Sequence, residues 1–353
     1  MVPLADILRQ HWPAYLAKFG AAIPSSHRAA VAAMLHCHTA ALGGQVYRCA
    51  CGQTHFAYHS CNHRACPQCG HHDATVWIAK QKARLLPVPY FLVTFTAPEQ
   101  LRMFMRAAQK FWFTLWFQES AATLQDVAAR EKYLGATLGM LGALHTWTRQ
   151  LIYHPHIHYL IPGGGLTSDG LRWKRTKADF FLPQAVLAMR FRTRIKQRLQ
   201  REQPRLLARV PAKVWRLNWV VDVEPVGGGE GALKYLAAYL SKTAITAQRL
   251  VACDAKTVTF RHRDRKSGAW KLCRVSGEEF VRRFLQHVLP DYFRRMRQYG
   301  WWSAAAKNRW DKILFWLHWT PPVVPPPAPR PPVLCPRCQQ PMICVGQLAR
   351  PPP

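Results

Sequence analysis

At 353 residues, with 49% hydrophobic and 12% aromatic content, the chain can bury a sizeable core and has the composition of neither a disordered segment nor a small stapled scaffold. Lys and Arg number 49 against 18 Asp and Glu, and a formal charge of +31 points to a polyanionic partner. Nucleic acid fits better than a membrane, since no apolar run approaches the ~18 residues needed to span a bilayer and the opening residues lack a signal-peptide core. Eleven cysteines in such a chain read as reduced metal ligands in the cytoplasm rather than disulfides.

Residues 4–36 carry helical periodicity in two pieces, broken at Ile23, Pro24, Ser25 and Ser26, where a serine is expected to cap the second helix. Residues 37–71 are short on apolar runs and rich in turn residues, so they need metal to fold. They hold Cys37, Cys49, Cys51, Cys61, Cys66 and Cys69. Cys66 and Cys69 form a C-x-x-C knuckle, and Cys49 and Cys51 resemble one shortened by a residue. Tetrahedral zinc wants four such ligands, which makes Cys49, Cys51, Cys66 and Cys69 the first-choice set. Cys37 and Cys61 are substitutes, or part of a second site that His36, His38, His55, His59 or His63 could complete.

A helix is expected over Ala74–Leu86 and a buried strand over Val88–Pro98. Helices follow from about Glu99 to Gln118 and from Ala121 to Tyr133. Gly135–Trp147 and Leu151–Ile161 read as antiparallel strands joined by a turn at Thr148–Gln150. After them come a basic helix (Gln184–Arg201), a strand within 215–226, a glycine joint at 227–231 and a helix over Ala232–Lys242. A basic hairpin over 256–275 turns at Lys266, Ser267 and Gly268, and a basic helix is expected over 278–298. Beyond Trp316 a polyproline-like linker leads to Cys335, Cys338 and Cys344, three thiolates that need a donor from elsewhere to close a zinc site. The chain therefore divides into a helical lead-in (1–36), a zinc-binding domain and connecting helix (37–86), a catalytic domain (87–316) and a tail (317–353).

His154, His156 and His158 alternate along the strand and so project from one face, while Ile157 turns into the core. His156 and His158 are the primary candidates to hold a divalent cation, with His145 on the neighbouring strand as third ligand. His154 is the rival, with Pro155 between them bending the path. Imidazoles leave positions open for phosphate oxygens, and Mg²⁺ or Mn²⁺ suits the task; a zinc hydrolase stays open as an alternative. Tyr235 and Tyr239 share a helix face one turn apart. A phenol of pKa ~10 is a poor nucleophile unless the phosphate is polarised and positive charge lies nearby, which Lys242 or Lys234 could supply. Attack by either tyrosine would leave a 5′-phosphotyrosine and a free 3′-hydroxyl. The basic segments 190–205, 261–274 and 282–297, interleaved with aromatics, suit single-stranded DNA. Gly163, Gly164 and Gly165 could permit close approach of DNA to the backbone.

In order along the chain, LGGQVYRCACG and YHSCNHRACPQCG, then PVPYFLVTFTAP, LHTWTRQLIYHPHIHYLIPGGGL and YLAAYLSKTAI, resemble the bacterial rolling-circle transposases typified by insertion sequence ninety-one, within the two-tyrosine HUH endonuclease superfamily. The resemblance implies an α+β fold, a ferredoxin-like antiparallel sheet with helices preceded by a helical and zinc-binding module. It implies His156 and His158 as metal ligands, with His145 where some relatives carry a third histidine, and Tyr235 and Tyr239 as nucleophiles. The partner it implies is single-stranded DNA at element ends and target site. Two departures stand out: Gln45 where the family often has histidine, and Cys49, Ala50, Cys51 where it has C-x-x-C. A rolling-circle replication initiator would share this chemistry, and a non-catalytic zinc-dependent DNA-binding regulator would share only the charge and the knuckles.

Overall fold

A computed structural model describes residues 2–69, 71–177, 179–241, 244–264, 266–324 and 331–351, with the backbone alone at 71–74, 235 and 237–241. The lead-in is two helices, α1 (Leu4–Phe19) and α2 (Ser25–Leu35). Pro24, with its ring-fixed φ, holds the position before α2, and no side chain caps the helix; the expected serine cap is absent because Ser25 is already helical. A hairpin follows, β1 (Gly44–Arg48) and β2 (Thr54–Tyr58), with Cys49 and Cys51 in its turn. Then come α3 (His71–Lys82) and β3 (Tyr90–Thr96), whose alternate residues Phe91, Val93 and Phe95 are fully buried.

The next apolar stretch differs from its sequence reading. Instead of one helix over 99–118 and another over 121–133, the chain forms α4 (Glu99–Ala107) and α5 (Gln109–Ala128), parted at Ala108, whose φ of −139° and ψ of 58° lie outside the helical region. The break lets Leu101 and Met105 of α4 and Trp112 and Phe113 of α5 enter the same core. After α5 run β4 (Gly139–Trp147), β5 (Tyr153–Pro162), and the short pair β6 (Gly164–Leu166) and β7 (Trp173–Arg175). They lead into α6 (Gln184–Glu202), α7 (Pro204–Arg209), β8 (Val220–Pro225) and α8 (Glu230–Ser241).

β3, β4, β5 and β8, with α4/α5 and α6 as the connections, form a β-α-β-β-α-β unit with spatial order β4-β5-β3-β8 and antiparallel neighbours throughout. This is the ferredoxin-like arrangement, and the fold class is α+β. One face of the sheet, carrying Phe95, Ile157 and Tyr159, packs against α5 and α6. Trp116 of α5 sits there, stacked on Trp219 at 5.4 Å.

A second three-stranded sheet, β9 (Leu250–Cys253), β10 (Thr257–Arg263) and β11 (Trp270–Ser276), contains the expected basic hairpin. It runs into α9 (Gly277–Leu285), where the Ser276 hydroxyl accepts from the Glu279 amide at 3.2 Å. The helix expected over 278–298 ends here. Pro290 cannot continue it, and Met296–Gly300 forms β12, which covers the otherwise open edge of β4 from Ala143 to Gly139. α10 (Lys307–Leu317) follows. The last strand, β13 (Ile343–Leu348), returns to the front of the chain and pairs antiparallel with β1, from Gly44 opposite Leu348 to Arg48 opposite Ile343. The lead-in is likewise docked on the rest: Lys18 of α1 pairs with Glu278 of α9 at 2.9 Å. Arg64 donates to the carbonyls of Leu289 (2.8 Å), Phe293 (2.6 Å) and Pro290.

Candidate metal centre and nucleic-acid interface

The strand register decides which imidazoles meet. His156 of β5 stands opposite His145 of β4, with Thr96 of β3 on its other side, and His158 stands between Ala143 and Thr94. All three histidines are buried, and each offers a nitrogen within 4.8 Å of the others. Nδ1 of His145 and Nε2 of His156 are 2.9 Å apart. On His156 and His158 the Nδ1 atoms have partners that fix the rings. Nδ1 of His156 donates to the His154 carbonyl at 2.7 Å, and Nδ1 of His158 bonds the Thr94 hydroxyl at 2.8 Å. Both histidines can therefore present Nε2 to an ion, with an outer partner setting each ring. Burial lowers the pKa of all three, that of His158 to about 4, so they are neutral with lone pairs available near pH 7. Neighbouring ligands around a small octahedral cation sit about 3 Å apart, close to the His145–His156 separation, and neutral imidazoles are donors for divalent metals. His154 falls outside this group and contributes through its carbonyl.

The opposite wall is α8. Its entry depends on Gly229, at φ +81°, where an added Cβ would lie 2.7 Å from the Tyr90 ring. Ala232, Leu233 and Leu236 bury themselves with Leu141, Ala143 and Leu160, which places α8 on the histidine face of the sheet. Lys82 of α3 pairs with Glu230 at 3.2 Å and ties the helix start to the front of the chain. Positions 235 and 239 are one turn apart on α8. The side chains of Tyr235 and Tyr239, and Lys242 altogether, lie outside the described residues, and Lys234 is exposed.

The thiols fall into two groups of four. Cys37, Cys61, Cys66 and Cys69 form one, with Sγ separations of 3.4 Å (Cys37 to Cys69), 3.6 Å (Cys61 to Cys69) and 3.6 Å (Cys66 to Cys37). Cys49, Cys51, Cys335 and Cys338 form the other, with 3.4 Å from Cys49 to Cys338 and 3.6 Å from Cys51 to Cys335. Thiolates around tetrahedral zinc are about 3.8 Å apart, so both groups fit the ion, whereas a disulfide needs about 2.05 Å. The first-choice set from the sequence is thus divided: Cys49 and Cys51 belong with the terminal knuckle, and Cys66 and Cys69 with Cys37 and Cys61. A hydrogen bond from Cys66, aided by the His63 amide, holds the Cys61 thiol down to about 5 against the raising effect of burial. His36, His38, His55, His59 and His63 join neither group, and Cys344 is exposed and apart.

The basic segments divide as well. Within 190–205 all the arginines but Arg205 of α7 lie on α6, across the sheet from the histidines, where Arg194 and Arg198 reach the buried Glu119 at 2.9 and 3.1 Å and Arg192 donates to the Leu217 carbonyl at 2.6 Å. In 282–297, Arg282 and Arg283 pair with Glu279, and Arg295 and Arg297 lie over the rings of Trp147 and Phe117. These arginines serve the fold. On the hairpin, Arg261, Arg263, Lys271 and Arg274 are exposed, Lys271 and Arg274 in surface pairs with Asp264 and Asp254, and Arg261 stacks on the exposed Trp270 at 4.8 Å. It adjoins the turn between the histidine strands, where Arg149 donates to the Arg263 carbonyl at 3.1 Å. The triple glycine packs internally rather than facing a ligand, since an added Cβ at Gly164 would meet Trp173 at 2.5 Å and one at Gly165 the Thr137 carbonyl at 2.6 Å.

Comparisons with known proteins agree on one family. Residues 7–97 match the family model "Transposase zinc-binding domain", and residues 139–309, which include the three histidines and α8, match the model "Putative transposase". The chain is 36% identical over 316 residues to "Putative transposase y4qJ" of Sinorhizobium fredii, covering 84% of this chain and 79% of that one. It is 27% identical over 290 residues to "Transposase for insertion sequence element IS801" of Pseudomonas savastanoi pv. phaseolicola, covering 76% and 68% respectively. No solved structure matches. Among the described residues no helix is long and apolar enough to cross a membrane. The front module is a zinc-binding domain, the substrate class is DNA, and the chain belongs to the insertion-sequence-ninety-one type of transposase.

Proposed function

We propose that this transposase nicks and rejoins single-stranded DNA at the ends of its element, with Tyr235 and Tyr239 as nucleophiles and a divalent cation, Mg²⁺ or Mn²⁺, held by His156, His158 and His145. The observation that carries the reading is the shared location: three neutral imidazoles and α8 occupy one face of the same sheet. When bound, the cation polarises the scissile phosphate. The chain's residues do the rest. A tyrosine oxygen forms a bond to phosphorus, the bond from phosphorus to the 3′ oxygen breaks, and the phenolic proton is replaced on balance by one on the departing 3′-hydroxyl. Lys242 and Lys234 supply positive charge that favours the phenolate.

The 5′-phosphotyrosine conserves the phosphodiester energy, so rejoining to a second strand needs no nucleotide cofactor. Two tyrosines one helical turn apart allow one to hold a strand while the other attacks the next, as rolling-circle transposition requires. The exposed hairpin, with Arg261 and Trp270, suits backbone contact and base stacking beside the histidine strands. In this reading 87–316 is the nuclease domain, and the protein works in the cytoplasm, in keeping with eleven unbridged cysteines.

The test is incubation with labelled single strands carrying the element's ends and Mg²⁺ or Mn²⁺, followed by denaturing gels. A protein-linked strand, absent from the Tyr235→Phe, Tyr239→Phe double variant, is expected. Metal-dependent cleavage without an adduct would instead indicate a hydrolase, and tight binding with neither would indicate a regulator.

A further inference from the structure

The terminal knuckle carries an inference of its own. The matched zinc-binding region ends at residue 97, and Cys335 and Cys338 lie far outside it. Their sulfurs nevertheless complete a tetrad with Cys49 and Cys51 across 284 and 289 positions of sequence. The two half-sites are built alike. In the front turn the Cys49 amide donates to Gln53 at 2.9 Å, the Gly52 amide returns to the Cys49 carbonyl at 3.0 Å, and Gly52 has φ +86°. In the terminal turn the Cys335 amide donates to Gln340 at 2.9 Å, the Gln339 amide returns to the Cys335 carbonyl at 2.9 Å, and Gln339 has φ +60°. Each turn thus aims two sulfurs to one side. Around them Cys49, Cys335 and Met342 form a separate small core with Tyr47 and Val333, and β13 completes the sheet beside β1.

We infer that the chain holds two zinc ions, the second at a composite site made by Cys49 and Cys51 of the front hairpin and Cys335 and Cys338 of the terminal segment. The terminal segment is a structural part of the zinc module, fastened to it by metal as well as by strand pairing. So small a core does not hold β13 unaided, which gives the ion its role.

Cys338 and Cys51 discriminate the site, because both are exposed and burial cannot shield them from alkylation. In the full-length, zinc-replete protein, metal analysis is expected to find two zinc ions per chain. Alkylation mapped by mass spectrometry should leave Cys335 and Cys338 protected while Cys344 reacts. A chelator should then expose Cys49, Cys51, Cys335 and Cys338 together. The Cys335→Ser, Cys338→Ser variant should hold one zinc ion, and Cys344→Ser should keep two. Two ions retained by the double variant, one ion in the native chain, or alkylation of Cys338 as fast as Cys344 would each overturn the site. If the double variant does not fold, the alkylation of the native protein decides alone. None of these readouts depends on DNA cleavage.

Discussion

The two faces of the five-stranded sheet are made from the same strands yet built on opposite principles. From β5, Ile157, Tyr159 and Ile161 enter a core with Trp112, Trp116 and Phe191, where even the charges are consumed internally: Glu119 is 7% exposed and holds two arginines. From the same strand His156 and His158 emerge on the other face, with their Nδ1 atoms held by the His154 carbonyl and the Thr94 hydroxyl. One face is closed by packing, and the other carries three buried imidazoles and is covered by the helix that bears the tyrosines. Stability and chemistry are separated by a one-residue alternation, so mutations should sort by face.

The largest effect should follow His156→Ala. Removing the central donor is expected to lower metal-dependent strand cleavage by at least ~10³-fold, about 4 kcal/mol in the barrier. The melting temperature of the apo protein should change little; a large loss of stability with cleavage retained would erase the distinction between the faces. Trp116→Ala, on the packed face, should do the reverse. Loss of its contacts with Phe95, Phe191 and Trp219 should cost about 3–5 kcal/mol in denaturant unfolding, with unchanged cleavage per folded molecule.

A sharper division comes from Thr94→Val, which removes only the hydroxyl that orients His158. Metal affinity should weaken by about 10–100-fold, and activity should recover at saturating Mg²⁺ or Mn²⁺. An unrecovered loss would place Thr94 in some other role. The smallest effect is on pH. His287, held between Thr146 and the Leu151 carbonyl, has its pKa lowered by burial to about 3. Between about 6.5 and about 3 the unfolded chain binds a proton that the native state refuses, so stability is intact above this window and falls as the pH drops through it. The loss should be about 1 kcal/mol at pH 5.5 from this group, measured as the difference in unfolding free energy between native protein and His287→Gln.

Much of this was legible in the sequence where the signal is local. Alternation predicts which side of β5 carries the histidines, the glycine joint precedes α8, and the turn residues mark the hairpin of β10 and β11. The failures share a cause. Nothing in residues 296–300 announces an edge strand, because β12 exists only where β4 offers it hydrogen bonds. The arginines of α6 read as a nucleic-acid stripe until Glu119, on another helix, is seen to neutralise two of them. The triple glycine reads as a ligand loop until Trp173 and Thr137 are found against it.

The sequence by itself determined the donor types, the strand on which the histidines alternate and the helical spacing of the tyrosines, since periodicity is a property of neighbouring residues. Tertiary structure alone decided that a ring nitrogen of His145 rather than one of His154 gathers with those of His156 and His158, because strand register selects the partner. It alone sorted eight thiols into two tetrads, one of them joining the two ends of the chain. Knuckle spacing shows which pairs of sulfurs turn together, but which pairs share an ion depends on how distant segments pack.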